Sequence, residues 1–487
     1  MRRAAWLSAL SGAALAAGLV LPATASPSRP AVTRSGPLTT RHSATAAYLT
    51  EAQCLATRTI RLPCYDPAQL QDAYRVPPLL ARGIDGRGVT IAIVDSFGSP
   101  TIRRDLAAFD AKFHLPTPPS FQVVEPAGAV PPFDPRTTTM VGWAGETTLD
   151  VEWAHVMAPQ ANLLLVETPV SETEGTAGFP QIEAAIQDVV DHHLAEVITQ
   201  SFGANEHTFT SLGALERLRG PYVAAAAAGI TVLAAAGDTG ATDYTTNTAV
   251  TYSTSPAVTW PASDPLVTAV GGTQLQLDAS GGRTAPDRAW NDTYTRHVNE
   301  FVFGTARPHP DATGGGLSAI FSRPSFQNGV AGVVGGQRGV PDIAMSAACS
   351  GLVDTYQSFA PTPPGWYYVC GTSEATPLFA GVVALADQVA HHGLGCINPA
   401  LYAMAAAHDP GIVSVDRGDN TVSFFAGDSE HTVKGYAAAR GYSLVSGVGT
   451  VDADRFVPEL ARTVASVGSQ VSYGYLPTAA SATQGAS

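Results

Sequence analysis

Five runs of apolar, largely β-branched residues mark out the stretch from residue 89 to residue 270: Val89–Val94, Leu163–Val166, Glu196–Gln200, Ile230–Ala234 and Leu266–Val270. None shows the strict apolar/polar alternation of a half-solvated strand, so both faces of each must be covered by protein. Helical patterns lie between and after them, at about 145–157, 181–194, 214–228 and 374–390. The expected fold class is α/β, a mostly parallel central sheet with helices on both faces. In such sheets the ligand site lies beyond the carboxyl ends of the strands. Asp95, Ser201-Phe202-Gly203 and Gly237-Asp238 are all placed there.

The ends read differently. Arg2 and Arg3 precede an apolar run from Ala4 to about Leu21, and Ala23-Thr24-Ala25 offers small residues at cleavage positions. Residues 1–25 are read as a secretory signal peptide, and a membrane anchor is disfavoured because the run is short and rich in Gly and Ala. Residues 26–64 are read as a short disordered or pro-remnant segment, 65–465 as one large domain and 466–487 as a C-terminal tail. No second long apolar segment follows, so a soluble, extracellular monomer is expected, with five cysteines available for disulfides. With 27 Lys+Arg against 41 Asp+Glu, a formal charge of −14 and no basic run, neither nucleic acid nor an anionic membrane surface is an expected partner. Only 14% of residues are charged, so few surface ion pairs are lost when carboxylates protonate, which suits acidic surroundings.

Three stretches carry chemistry. Gly371-Thr372-Ser373 opens an apolar helical pattern, Leu378–Leu385. A serine there sits beside free backbone N–H groups and the positive end of a helix dipole, which favour an oxyanion at a reacting carbonyl. Read alone, Ser373 is equally well a helix cap. The usual base for such a serine is histidine at a Gly-rich helix start, and none of the twelve histidines has that setting. His155, His192, His193, His391 and His392 are read as surface or supporting residues.

A different base is offered by Glu146 and Asp150, spaced i, i+4 beside the stripe Leu149, Trp153, Val156 and Met157. Half-buried like charges at that spacing cannot both ionise cheaply, so the pair is expected to share a proton over part of the acidic range. A carboxylate held this way is a base below neutral pH. A solvated acidic patch is the plainer reading of the same spacing. Asp238, in Gly237-Asp238-Thr-Gly240, follows a buried strand. When protonated it can donate a hydrogen bond to an oxyanion; otherwise it is an ordinary turn aspartate.

Taken together, these stretches resemble the sedolisins, the serine-carboxyl peptidases, over residues 65–460 and in order. Glu146-Thr-Thr-Leu-Asp150, Gly237-Asp238-Thr-Gly240 and Gly371-Thr-Ser-Glu-Ala-Thr-Pro377 carry the likeness. Ser201-Phe-Gly203 with Glu206, Trp260-Pro-Ala-Ser263, Gly314-Gly-Gly-Leu-Ser318, Gly339-Val-Pro-Asp-Ile-Ala344 and Gly395–Tyr402 extend it. The resemblance implies a subtilisin-like fold and acid-acting hydrolysis of protein or peptide substrates. Ser373 would then be the nucleophile, Glu146 its base, Asp150 the residue that orients Glu146, and Asp238 the oxyanion donor. Ser201, Phe202, Gly203, Trp260, Pro261 and Ala262 would line the substrate cleft. A tripeptidyl-peptidase and a peptide-binding pseudoenzyme are the alternatives; the second would be marked by loss of one of the four reacting residues, and all four are present.

The chain departs from the family twice. About 40 residues separate the cleavage site from Tyr65, too few for the folded propeptide that sedolisins commonly carry. Family members also hold one calcium through Asp-Ile/Val and a later Gly-x-Gly-x-Asp. The corresponding stretches here are Ser414-Val415 and Ala439-Arg-Gly441-Tyr-Ser443, so both carboxylates are serine, the calcium site is expected to be absent or weak, and no other cofactor is expected. Asp416 or Asp419 could restore the site only through a shifted loop. Cysteine spacing suggests Cys54–Cys64 and Cys349–Cys370 with Cys396 free, though other pairings satisfy the count.

Overall fold

All five apolar runs become strands of one eight-stranded sheet. The computed structural model describes residues 62–476, apart from 247–250 and 362, together with residues 40–41. The proposed signal peptide and Cys54 lie outside the described residues. In chain order the strands are β1 (Thr90–Ser96), β2 (Phe121–Val124), β3 (Asn162–Thr168), β4 (Val197–Gln200), β5 (Thr231–Ala235), β6 (Thr268–Gln274), β7 (Arg288–Ala289) and β8 (Ile343–Ser346). They lie in the order β7-β6-β5-β4-β1-β3-β2, with β8 also paired to β6. Every pairing is parallel except that of β7.

Two-sided burial explains the unbroken apolar runs. Ile91, Ile93, Leu163 and Leu165 point into one core, while Ala92, Val94, Leu164 and Val166 point into the other. The main helices are α1 (Ile102–Phe113), α2 (Thr138–Met157), α3 (Phe179–Asp191), α4 (Gly220–Ala228), α5 (Thr372–Ala390), α6 (Asn398–Ala406) and α7 (Ala453–Val467). α2, α5 and α7 fill the first core, and α3 and α4 cover the opposite face.

α2 and α5 are buried nearly all round, which is why neither reads as a clean amphipathic stripe. α2 begins seven residues before the expected 145, and Met140, Gly142, Trp143 and Ala144 of this added stretch are also buried. The two helices touch at Gly381, where a Cβ would stand 2.6 Å from Met157 Cβ and 3.1 Å from the Ala154 carbonyl oxygen. The stretch 214–228, read as a single helix, is two: Leu212–Glu216 and α4. Between them Arg219 turns inward to pair with Asp264, and Pro221 takes the first turn of α4, where its missing N–H costs nothing.

After α7 the chain does not leave the body at once. Ser322 N–H donates to Gly474 O at 2.9 Å and Leu476 N–H to Ile320 O at 2.8 Å. Arg219 donates to the Tyr473 and Tyr475 hydroxyls at 3.1 and 2.7 Å. The expected Cys349–Cys370 disulfide is formed, with Cα atoms 5.0 Å apart, closing the base of the hairpin of Leu352–Gln357 and Gly365–Val369 just ahead of Gly371. Cys396 is buried and unpaired. Among the described residues no helix is long and apolar enough to cross a membrane.

Candidate active site

Ser373 is the second residue of α5, and the backbone reaches it through Gly371 at φ +125°, a conformation that favours glycine. Gly371 N–H donates to Ala347 O at 2.7 Å, anchoring the turn to the chain that follows β8. Because α5 starts at Thr372, Pro377 lies a full turn inside it and supplies no N–H to the Ser373 carbonyl. α2 sends Glu146 and Asp150 into the same core, and Ser373, Glu146 and Asp150 are each no more than 1% exposed.

Burial pushes the Glu146 carboxyl well above its ordinary range. The Ser373 hydroxyl facing it works the other way, and the negative charges of Asp95 and Asp238 raise it further. Asp150 is raised by burial and by Asp95 and Glu146, with the Ser201 hydroxyl opposing. Asp95, at the end of β1, is pushed up to about 7 by burial against the opposing Thr147 hydroxyl, with Glu167 adding to the rise. The groups acting on these carboxyls through their charge are all acidic, so they titrate as a set that holds protons to higher pH than isolated carboxyls.

None of the oxygens of Glu146 and Asp150, nor Ser373 Oγ, completes a well-formed hydrogen bond among the described residues. The approach of Ser373 to Glu146 is therefore a polar contact rather than a formed bond. Unliganded sites often show this looseness and tighten with substrate.

Asp238 stands across from this pair, beyond β5. Its Oδ1 accepts from the Thr372 N–H at 2.7 Å and from the Thr372 hydroxyl at 2.6 Å. That hydroxyl in turn accepts from Gly237 N–H at 3.2 Å. The residue next to the serine thus fixes the aspartate in place.

The stretches read as cleft lining are held together but lie largely inside. Ala204 pairs with Trp260 and Asn205 with Thr259, and a Cβ at Gly203 would come within 2.2 Å of Thr259 Cγ2. Ser201 faces Asp150. Phe202 packs on Trp143 and Phe179, and Trp260 on Phe179, Tyr222 and Phe209. Pro261 and Ala262 are buried as well.

His192, His193, His391 and His392 are exposed. His155 is wholly buried near the end of α2, its Nε2 2.8 Å from Pro116 O and 3.4 Å from Asp110 Oδ1.

Sequence reasoning assigned no role to Asp95, Thr372, Glu172 or Glu374. Asp95 carried a signal, a carboxylate ending a central strand. Glu172 and Glu374 are buried beside the site, both raised by burial first, and Asp238 adds to the rise at Glu374. Glu374 follows Ser373 directly in the sequence, whereas only tertiary packing brings Glu172 there.

Residues 86–404 match the subtilase family. Kumamolisin of Bacillus sp. (strain MN-32) is 32% identical over 400 residues, covering 79% of this chain and 62% of that protein. Tripeptidyl-peptidase 1 of Homo sapiens is 28% identical over 324 residues, covering 63% of this chain and 50% of that protein. The structure of Pseudomonas sedolisin, a serine-carboxyl proteinase complexed with two molecules of pseudo-iodotyrostatin, superposes with a TM-score of 0.67 at 25% identity. That match covers 84% of this chain and 99% of the other. The chain spans 50–62% of the length of the two curated relatives.

Proposed function

Because the chain belongs to the subtilase family, on its sedolisin branch, we propose that it is an acid-acting serine-carboxyl endopeptidase working outside the cell. The observation that carries this reading is the meeting of the Ser373 hydroxyl with the buried Glu146–Asp150 pair, in a site where carboxylates take the place of a histidine base. Glu146, ionised, takes the proton from Ser373 Oγ as Oγ attacks the scissile carbonyl carbon. The carbonyl oxygen becomes an oxyanion and receives a hydrogen bond from protonated Asp238. Glu146 then gives its proton to the leaving amine, the C–N bond breaks, and an acyl-enzyme remains on Ser373. Water repeats the sequence: Glu146 takes its proton, the hydroxide oxygen attacks the ester carbon, and Ser373 leaves with the proton returned.

This cycle needs Asp238 protonated while Glu146 ionises, so it fails once the pH rises far enough to ionise Asp238, and the raised position of Glu146 sets its limit on the acid side. Asp150 supports it by sharing charge with Glu146 as the proton moves. The Cys349–Cys370 bond agrees with an oxidising compartment and hence with export. A denatured protein substrate incubated across pH 3–8, with product masses read out, tests the reading. Internal fragments formed in acid are expected. Release of tripeptides alone would replace it with tripeptidyl-peptidase action, and binding without cleavage would make the protein a pseudoenzyme.

A further inference from the structure

The donor set for the family's calcium does not fit an ion here. Ser414 is exposed and Ser443 buried, and neither brings a carboxylate. Of the acids nearby, Asp416 lies on the surface with Arg417 4.0 Å away, and Asp419 Oδ1 accepts from Thr421 N–H at 2.8 Å. Arg440 adds a positive charge between the two carbonyls, Ala439 and Gly441, that would have to face the metal. Among the described residues there is no group of three or more His, Cys, Asp or Glu placed to hold a metal.

The same place is already bonded. Ser446 Oγ donates to the Val415 carbonyl at 3.2 Å, an oxygen the ion would need. Ser446 N–H donates to Ser443 Oγ at 3.2 Å, and the two hydroxyls are 3.0 Å apart. A hydroxyl has one proton to give, so with the Ser446 proton on Val415 the Ser443 hydroxyl must donate to Ser446 Oγ. The relay runs Ser443 to Ser446 to Val415 with each donor used once. Ser443, Ser446 and Val415 are all no more than 2% exposed. Ser443 and Gly447 exchange both backbone hydrogen bonds at 3.0 Å, and Val448 N–H then donates to Asp342 O at 2.8 Å and Ala344 N–H to Gly449 O at 2.9 Å. The turn is thereby tied to the start of β8.

We infer that the Ser443–Ser446–Val415 hydrogen-bond relay does the tying that a divalent cation does elsewhere in the family, leaving this C-terminal joint independent of calcium. The relay crosses between the same two chain segments, 414–415 and 439–443, that the metal would bridge, and it uses up the buried carbonyl between them. Serine at 443 is required by this arrangement, since a carboxylate left there would be buried with no cation to pair it.

Thermal unfolding of the full chain at fixed pH, with chelator and with added calcium chloride, tests this. The midpoint should be unchanged in both. Ser446→Ala should lower it by a few degrees, and calcium should not restore it. A midpoint that falls on chelation and recovers with calcium overturns the inference, as does Ser446→Ala melting like the wild type. If that variant fails to fold, amide exchange of residues 413–417 and 441–449 in the wild type decides: equal protection with and without chelator supports the relay, and protection lost on chelation refutes it.

Discussion

Thr372 holds Asp238 by two hydrogen bonds to a single carboxylate oxygen, one from its N–H and one from its hydroxyl. With Oδ1 accepting both, a proton on this carboxyl is best carried on Oδ2. Thr372→Val keeps the N–H and the shape but removes the hydroxyl, and leaves Gly237 N–H without its acceptor. One lost aiming bond in an oxyanion site is expected to lower kcat about 10–100-fold with little change in KM. Thr372→Ser should recover most of the loss. Steady-state kinetics on an internally quenched peptide in acid checks both.

Glu146→Gln and Ser373→Ala should each reduce peptide hydrolysis by roughly a thousandfold or more, and the double variant should be no worse than either alone, because residues that act as one unit do not lose activity additively. Glu146→Gln keeps the shape while removing the base. Retained activity in that variant, at any pH between 3 and 6, would mean that another group takes the serine proton.

Stability should be greatest in acid. Asp95, Asp110 and Glu206 are each pushed up to about 7 by burial, and Asp243 to about 6. Unfolded, such carboxyls titrate near 4, so between about pH 4 and 7 the folded chain binds more protons than the unfolded one. The sign of the linkage then makes stability full below about pH 4 and progressively lost as pH rises to 7. Melting midpoints across pH 3–8 should fall over that interval, and Asp110→Asn should make the fall shallower.

At Gly381 the helices bearing the serine and its base come into contact. Gly381→Ala would press its Cβ to 2.6 Å from Met157 Cβ, with the Ala154 carbonyl behind it, so the helices must part. A cost of roughly 1–3 kcal/mol is expected, together with a fall in kcat, since the Ser373–Glu146 approach depends on this crossing. Denaturant unfolding and kinetics on the same preparation measure the two effects.

The parts of this fold readable in advance were those whose signal is local. The five strands could be read because burial on both faces demands unbroken apolar runs. β2 is an edge strand that is only partly buried, and β8 has Ile343 as its one β-branched residue, so neither carries the unbroken β-branched run of a central strand. The break at Arg219 depends on Asp264, which is 45 residues away. Glu146, Asp150 and Ser373 stood out as candidates through spacing and setting that are local, while the grip of Thr372 on Asp238 joins positions 134 residues apart. Phe202 and Trp260 were expected along a cleft, yet aromatic packing draws both rings inward.

The sheet does not wholly insulate one side of the fold from the other. Ser373 and Glu146 ride on helices packed into one core, whereas Phe202, Trp260 and the helices behind them belong to the other. The two sides nevertheless meet at Phe202 and Trp143, whose rings pack edge to face and the second of which lies on α2, three residues before Glu146. A change around Phe202 thus has a direct mechanical path to α2, and the aromatic layer behind the sheet takes part in holding Glu146 where it stands.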